Sequence, residues 1–381
     1  MASTRRATPP LLRALNERTV LEAIREGAPI SRAEIARRSG ISKPTVSLAL
    51  QSLLDAGLVR EAERGPDGPG YGAVYFEAVT EAALVAGLDL GARFVRGAVC
   101  DLGGVIRARQ DVELASPDAE GATDAIARLR ASLFAAPALD PSLVDSVIVG
   151  VPGVVAADGT LQVTENVAGL EGRRFGDEIQ AALELPVTLE NDINLAALGE
   201  QWQGVARGVA DFVFLSVGTG MGAGLVLGGE LHRGRHGAAG EIDFALVGVG
   251  ETVDPSAAEV SQLAQDLAGL AADPRAVFAS ARRGEAGALA VVDEVARRIA
   301  LHLAPIAAVA DVELVVLGGG IGANGDLLLD PIRTLLAGWL PFPPRIEVSG
   351  IGDAAVLTGA LAVGLESAQE RVFANRGGAR A

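Results

Sequence analysis

The chain has 381 residues, 49% of them hydrophobic and 21% charged, which excludes a disordered polar chain and a single small core, so two or three domains are expected. A net charge of −16 argues against general nucleic-acid affinity, no apolar run reaches membrane-spanning length, and a single cysteine, Cys100, excludes a disulfide framework or cysteine-based metal site within the chain. The N-terminal stretch carries charges with no apolar signal core behind them, so a cytoplasmic protein is expected.

The charge is unevenly spread. Residues 1–64 hold 11 Arg and Lys against 7 Asp and Glu, a net of +4, which leaves −20 for the remainder. A basic head on an acidic body lets the head approach phosphates while the body is repelled. In the head, "NERTVLEAIREG" (16–27) places Val20, Leu21 and Ile24 at helical spacing. "SRAEIARRSG" (31–40) opens on Ser31 with Glu34 three residues on, a capping box, and closes on Gly40. "ISKPTVSLALQSLLDAG" (41–57) has Ser42 as cap, Pro44 in the first turn, and Val46, Leu50, Leu53 and Leu54 as its buried stripe. A strand, a "GPDGPG" turn and a second strand then read as a wing, which completes a winged helix-turn-helix over 1–78. Its outward side chains are candidate DNA contacts: Ser42, Lys43, Pro44, Thr45, Ser47 and Gln51 on the second helix, and Tyr71 on the wing.

The body reads as two similar α/β halves, 79–202 and 203–381. The first opens with three glycine-punctuated strands (84–114), then a helix near 120–134, the strand "DSVIVGVPG", the helix "FGDEIQAALEL", the strand "PVTLEND" and the helix "INLAALGEQW". The second restarts with the hairpin "DFVFLSVGTGMGAGLVLGGELH" and, after longer helices, reaches "VELVVLGGGIGA" and a last helix, "AAVLTGALAVGLESAQ". Strand–glycine turn–strand units expose backbone N–H groups to a phosphate, and a cleft between two lobes is the natural ligand site. Asp192 has two readings: an acceptor for a hydroxyl proton or hydrogen bond, or the N-cap of a helix beginning at Ile193. Glu241 is balanced between a ligand contact and a solvated turn carboxylate.

Head and body together resemble the ROK family of repressors and sugar kinases over about residues 11–365. The resemblance rests on "ISRAEIARRSGISKPTVS", "GVPG" (150–153), "ENDINLAALGE" (190–200), "VGTGMGAG" (217–224), "GAAGE" (237–241) and "LGGGIG" (317–322). It implies a duplicated actin-like ATPase fold behind the winged head. It also implies that Asp192 corresponds to the kinases' base, that Asn166, Asn191 and Glu241 bind sugar, and that Asp89, Gly91, Gly218, Thr219 and Gly220 match the phosphate motifs. Gly318, Gly319 and Gly320 match the adenosine motif.

Three departures bear on function. The first phosphate motif reads "DLGAR", with Arg93 where the kinases have Thr, and a cation there is expected to fill the phosphate pocket or pair with Asp89. The family's Glu-x-Gly-His reads "EIDF", which puts Phe244 at the place of a histidine that touches sugar and zinc. No cysteine follows, so no zinc and no other bound cofactor is expected. The resulting expectation is a repressor of sugar-related genes, with degenerate kinase motifs and no enzymatic turnover. It would act as a homodimer or homotetramer on a double-stranded operator and take a sugar or sugar phosphate as effector. The alternatives are an ATP-dependent sugar kinase and a constitutive DNA-binding protein whose body only oligomerises.

Overall fold

Serine caps define the head. The computed structural model describes residues 9–63, 73–135, 139–164, 167–244 and 253–376. It opens with α1 (Pro9–Gly27), β1 (Ile30–Ser31), α2 (Arg32–Ser39) and α3 (Lys43–Asp55). Ser31 caps α2 by accepting from the Glu34 N–H at 3.4 Å, and Gly40 leaves the helix with φ of +69°, a conformation open to a residue without Cβ. The expected capping box is only half made, because the Glu34 carboxylate turns to Arg37 and Arg38. Ser42 caps α3 through the Thr45 N–H, with Pro44 in the first turn. Val20, Leu21, Ile24, Ile35, Val46, Leu50 and Leu53 meet in one core, and Leu54 lies at its edge.

The wing strands β2 (Val59–Glu61) and β3 (Tyr75–Ala78) pair antiparallel, and β1 adds to the far side of β3. The tip between them, with Tyr71, lies outside the described residues. Helix α1 begins seven residues before the predicted start.

The first lobe comprises β4 (Leu84–Leu90), β5 (Phe94–Asp101), β6 (Ile106–Glu113), α4 (Ala119–Phe134) and β7 (Val144–Val151). A short hairpin of β8 (Val154–Val155) and β9 (Leu161–Gln162) follows, then α5 (Phe175–Leu183), β10 (Val187–Asn191) and α6 (Asp192–Gln203). The second lobe comprises β11 (Phe212–Val217), β12 (Met221–Leu227), β13 (Glu230–Leu231), α7 (Ala257–Ala268), α8 (Pro274–Arg282) and α9 (Ala286–Ala310). It continues through β14 (Leu314–Gly318), α10 (Gly319–Gly322), α11 (Gly325–Trp339), β15 (Arg345–Val348) and α12 (Ala355–Arg376).

The duplication is written in the strand order. One sheet runs β10-β7-β4-β5-β6 and the other β15-β14-β11-β12-β13. In each, the first three strands form an antiparallel meander and the last two add in parallel beside the first. The inner parallel strands β7 and β14 are buried almost throughout because both faces are covered, whereas the edge strands β10 and β15 are only partly buried.

The lobes exchange their last helices. Helix α12, which chain order assigns to the second lobe, packs on the first-lobe sheet: a Cβ at Gly364 would stand 2.3 Å from Val85, and one at Gly150 2.6 Å from Val356. Helix α6 in turn lies on β12, where Ile193 fills the space that Gly222 leaves. The two helices cross in direct backbone contact, since a Cβ at Gly359 would fall 1.8 Å from the Leu195 carbonyl oxygen. A cut at 202/203 thus keeps each sheet's strands in one stretch of chain, while α6 and α12 each pack on the sheet of the other stretch. The head's core is also continuous with the body through Cys100, Leu102, Leu361, Ala368 and Val372. No helix among the described residues is long and apolar enough to cross a membrane.

Candidate functional site

Two adjoining hollows, of about 270 Å³ and 190 Å³, open between the lobes and share Asp192, Ile193 and Ser216. The larger is lined by Gly153, Asn191, Gly218, Thr219, Gly220, Glu241, Asp243 and Phe244. The smaller is lined by Asp89, Arg96, Gly319 and Asp353. Residues far apart in the chain thus converge, with Asp192 at the junction.

Asp192 is the first residue of α6 but not its cap. That role belongs to Asn191, whose Oδ1 accepts from the Asn194 N–H at 2.9 Å. The expected helix start at Ile193 is one residue late, and the capping reading of Asp192 is withdrawn. Asp192 Oδ1 accepts from the Ile193 N–H at 2.9 Å. Burial first, then the charges of Asp89 and Glu241, push its pKa up to about 7 despite that bond. The amide of Asn191 is committed within the chain, because Nδ2 donates to the Gly153 carbonyl at 3.0 Å. Glu190, which sequence reasoning passed over, accepts from the Asn191 N–H and Asn194 Nδ2, and is held by Arg233 of the second lobe at 2.6 Å.

The phosphate-motif residues are placed by the two hairpins. Gly91 turns β4 into β5, and its N–H donates to the Phe94 carbonyl. The Gly218 N–H closes the β11–β12 turn onto the Gly220 carbonyl at 2.9 Å, leaving Thr219 exposed. Gly319 has φ of +78° and a Cβ there would meet the Val217 oxygen at 2.3 Å, so this position requires glycine on packing grounds alone. At Gly318 a Cβ would strike the Phe214 ring, whereas at Gly320, which is exposed, it would meet nothing within 4 Å.

Arg93 does not fill the phosphate hollow or pair with Asp89. It is 78% exposed, reaches Glu113 at 3.7 Å and lies over the Phe94 ring. The partner of Asp89 is Arg96, whose Nη1 donates to Asp89 Oδ2 at 3.0 Å. The register places Arg96 directly opposite Asp89 across the hairpin, so counting outward from the Gly91 turn could have found it. Burial raises the pKa of Asp89, and Arg96 opposes that shift. Asp243, also missed, accepts from the Met221 N–H at 3.3 Å and links the "EIDF" segment to the second hairpin. Phe244 is 63% exposed at the rim. Asn166 and the 245–252 segment, where a zinc loop would follow, lie outside the described residues.

On the head, Lys43, Pro44, Ser47 and Gln51 are exposed along α3, while Thr45 is half-buried beside Ser42. All face away from the core stripe.

Residues 85–366 match the ROK family model. The chain belongs to the ROK family. Residues 13–68 separately match a MarR family model. A ROK-type relative across nearly the whole chain is a xylose repressor from Caldicellulosiruptor bescii, 25% identical, with 93% of this chain and 96% of the relative covered. A glucokinase from Halalkalibacterium halodurans is 32% identical over 48% of this chain and 64% of its own length. Among solved structures, a ROK family transcriptional regulator described as a homolog of the E. coli MLC protein matches with a TM-score of 0.77 at 21% identity, covering 96% of this chain and 99% of that one. That match shows the fold, winged head included. A ROK glucokinase from Streptomyces griseus, in complex with glucose and AMPPNP, matches 74% of this chain and 100% of its own at TM-score 0.63 and 28% identity.

Proposed function

We propose that this ROK protein is a sugar-responsive transcriptional repressor that binds a two-fold symmetric operator as a dimer and does not turn over ATP. The observation that carries the reading is the course of α12. Its first turn lines the smaller hollow, and the same helix, about 33 Å long at 1.5 Å per residue, ends against the head. There Arg18 pairs with Glu370 at 2.9 Å, and Arg25 donates to Gln369 at 3.2 Å. Gln369 Nε2 also donates to the Leu102 carbonyl of the β5–β6 turn, which ties head, helix and sheet together. A ligand that draws the lobes together moves α12 as a rod, and with it the spacing of two heads on DNA.

The effector class follows from the cleft and the relatives. Asp192 and Glu241 can accept from hydroxyls in a hollow of about 270 Å³, a size that suits a small polyol. Several relatives are named xylose repressors, which directs the search to aldoses. Arg96, which neutralises Asp89 in the phosphate hollow, and Phe244 at the rim of the larger one support the reading without turnover. One observation favours the kinase reading: a carboxylate with a pKa near 7 is suited to general-base work.

A titration of operator complexes with aldoses and their phosphates, with and without ATP, decides between them. Release of DNA by one sugar in the absence of ATP supports the repressor. ADP formation at typical enzyme rates, about 1–1000 per second, abolished by Asp192→Asn, would establish the kinase.

A further inference from the structure

The outward face of α3 carries Pro44, Ser47, Leu48 and Gln51 at the spacing that aligns residues on one side of a helix. Leu48 is 75% exposed at the centre of that face, opposite the stripe of Val46, Leu50 and Leu53 that enters the core. The polar groups around it are occupied within the chain. Ser47 Oγ donates to the Lys43 carbonyl at 3.1 Å, Gln51 Nε2 donates to Asp55 Oδ1 at 2.9 Å, and the Ser42 and Thr45 hydroxyls bond each other at 2.8 Å. Ser47 and Gln51 keep acceptor capacity, and Gln51 a second donor, but only the Lys43 ammonium and the Leu48 side chain on this face are without a side-chain contact within the chain among the described residues.

A lone exposed leucine on an ordinary surface needs no explanation. This one sits on the helix that a winged helix-turn-helix lays into the major groove. The head is the basic part of an acidic chain, with 11 cations against 7 anions over residues 1–64, so a polyanion is the partner its charge fits. On the floor of the major groove the apolar feature is the thymine C5-methyl group. A leucine there gains nothing from phosphates and discriminates thymine from cytosine, guanine and adenine.

We propose that Leu48 determines operator sequence by packing against the C5-methyl of one thymine in each half-site, while Lys43 supplies phosphate contact without sequence information. The inference rests on the DNA-binding reading above. Loss of one buried methyl is expected to weaken binding about four-fold per half-site.

The test uses the full chain. Duplexes are selected from a randomised pool, and each thymine of the selected half-site is replaced in turn by deoxyuridine, which lacks only the methyl. Binding of wild type and Leu48→Ala is then measured. One thymine should respond to methyl removal by about four-fold in wild type and not at all in Leu48→Ala. Leu48→Ala should leave the salt dependence unchanged, whereas Lys43→Ala should reduce its slope by about one contact. Because Leu48 packs against nothing in the core, an unchanged Tm is the control for folding. Wild type insensitive to every methyl, or equal sensitivity in Leu48→Ala, overturns the inference. So does weaker self-association of Leu48→Ala with the methyl response intact, which would place the side chain in a protein contact. Failure to select any sequence removes the DNA-binding reading itself, a separate outcome.

Discussion

Replacing Asp192 by asparagine should stabilise the protein at alkaline pH and leave it unchanged in acid. The folded chain raises this carboxyl from 3.8 to about 7, so between those values the folded state holds a proton that the unfolded state has released. Stability from this site is therefore lost as pH rises through that window, and the deficit is complete above pH 7. Taken at face value the difference corresponds to roughly 4 kcal/mol. The cleft is open to water, which screens the neighbouring carboxylates, so about 2 kcal/mol is the expected size. Asparagine carries no charge to desolvate, and its Oδ1 can still accept from the Ile193 N–H. Melting curves of both proteins from pH 4 to 8 provide the assay. Coincident Tm values near pH 4 should separate with rising pH, with the variant higher by about 2–3 °C at pH 8. A difference that is flat with pH, or a variant that melts lower at pH 8, would refute the account of Asp192 as a carboxyl held in a hostile environment. If Asp192 also binds sugar, the same variant loses effector response while retaining operator affinity.

Arg96→Leu leaves Asp89 buried without its cation and should cost about 3 kcal/mol at pH 8, and less as pH falls and the carboxyl, already raised by burial, takes up a proton. Adding Asp89→Asn should recover most of that loss, and a cost independent of pH would contradict the pairing. Gly319→Ala should destabilise by about 2 kcal/mol or more, since its Cβ would collide with the Val217 backbone. Gly320→Ala, with open space around it, should stay within about 0.5 kcal/mol by chemical denaturation. Purified protein should hold no stoichiometric zinc and show the same Tm after chelation; one zinc per chain by elemental analysis would overturn the expectation drawn from Phe244 and the lack of a cysteine after it.

Much of the architecture was legible along the chain because its causes are local. Ser31, Ser42 and Pro44 start helices through bonds and sterics within three or four residues. The glycine turns at 91 and 218–220 end strands for the same kind of reason, and the repeated meander announced the duplication. The cleft's membership was legible too: Asp89, Asn191, Asp192, Gly218–Gly220, Glu241 and Gly319 do line it. What the chain order could not decide was which neighbour each group meets. Arg93 and Arg96 are three residues apart, and only strand register turns one to solvent and the other onto Asp89. Asn191 and Asp192 are both competent caps, and the backbone, still non-helical at Asn191 and helical from Asp192, selects the first. The exchange of α6 and α12 between lobes depends on Gly199 and Gly359 allowing two backbones to touch across 160 residues of chain. Such contacts arise from packing whole elements against each other, and no window of neighbouring residues carries that information.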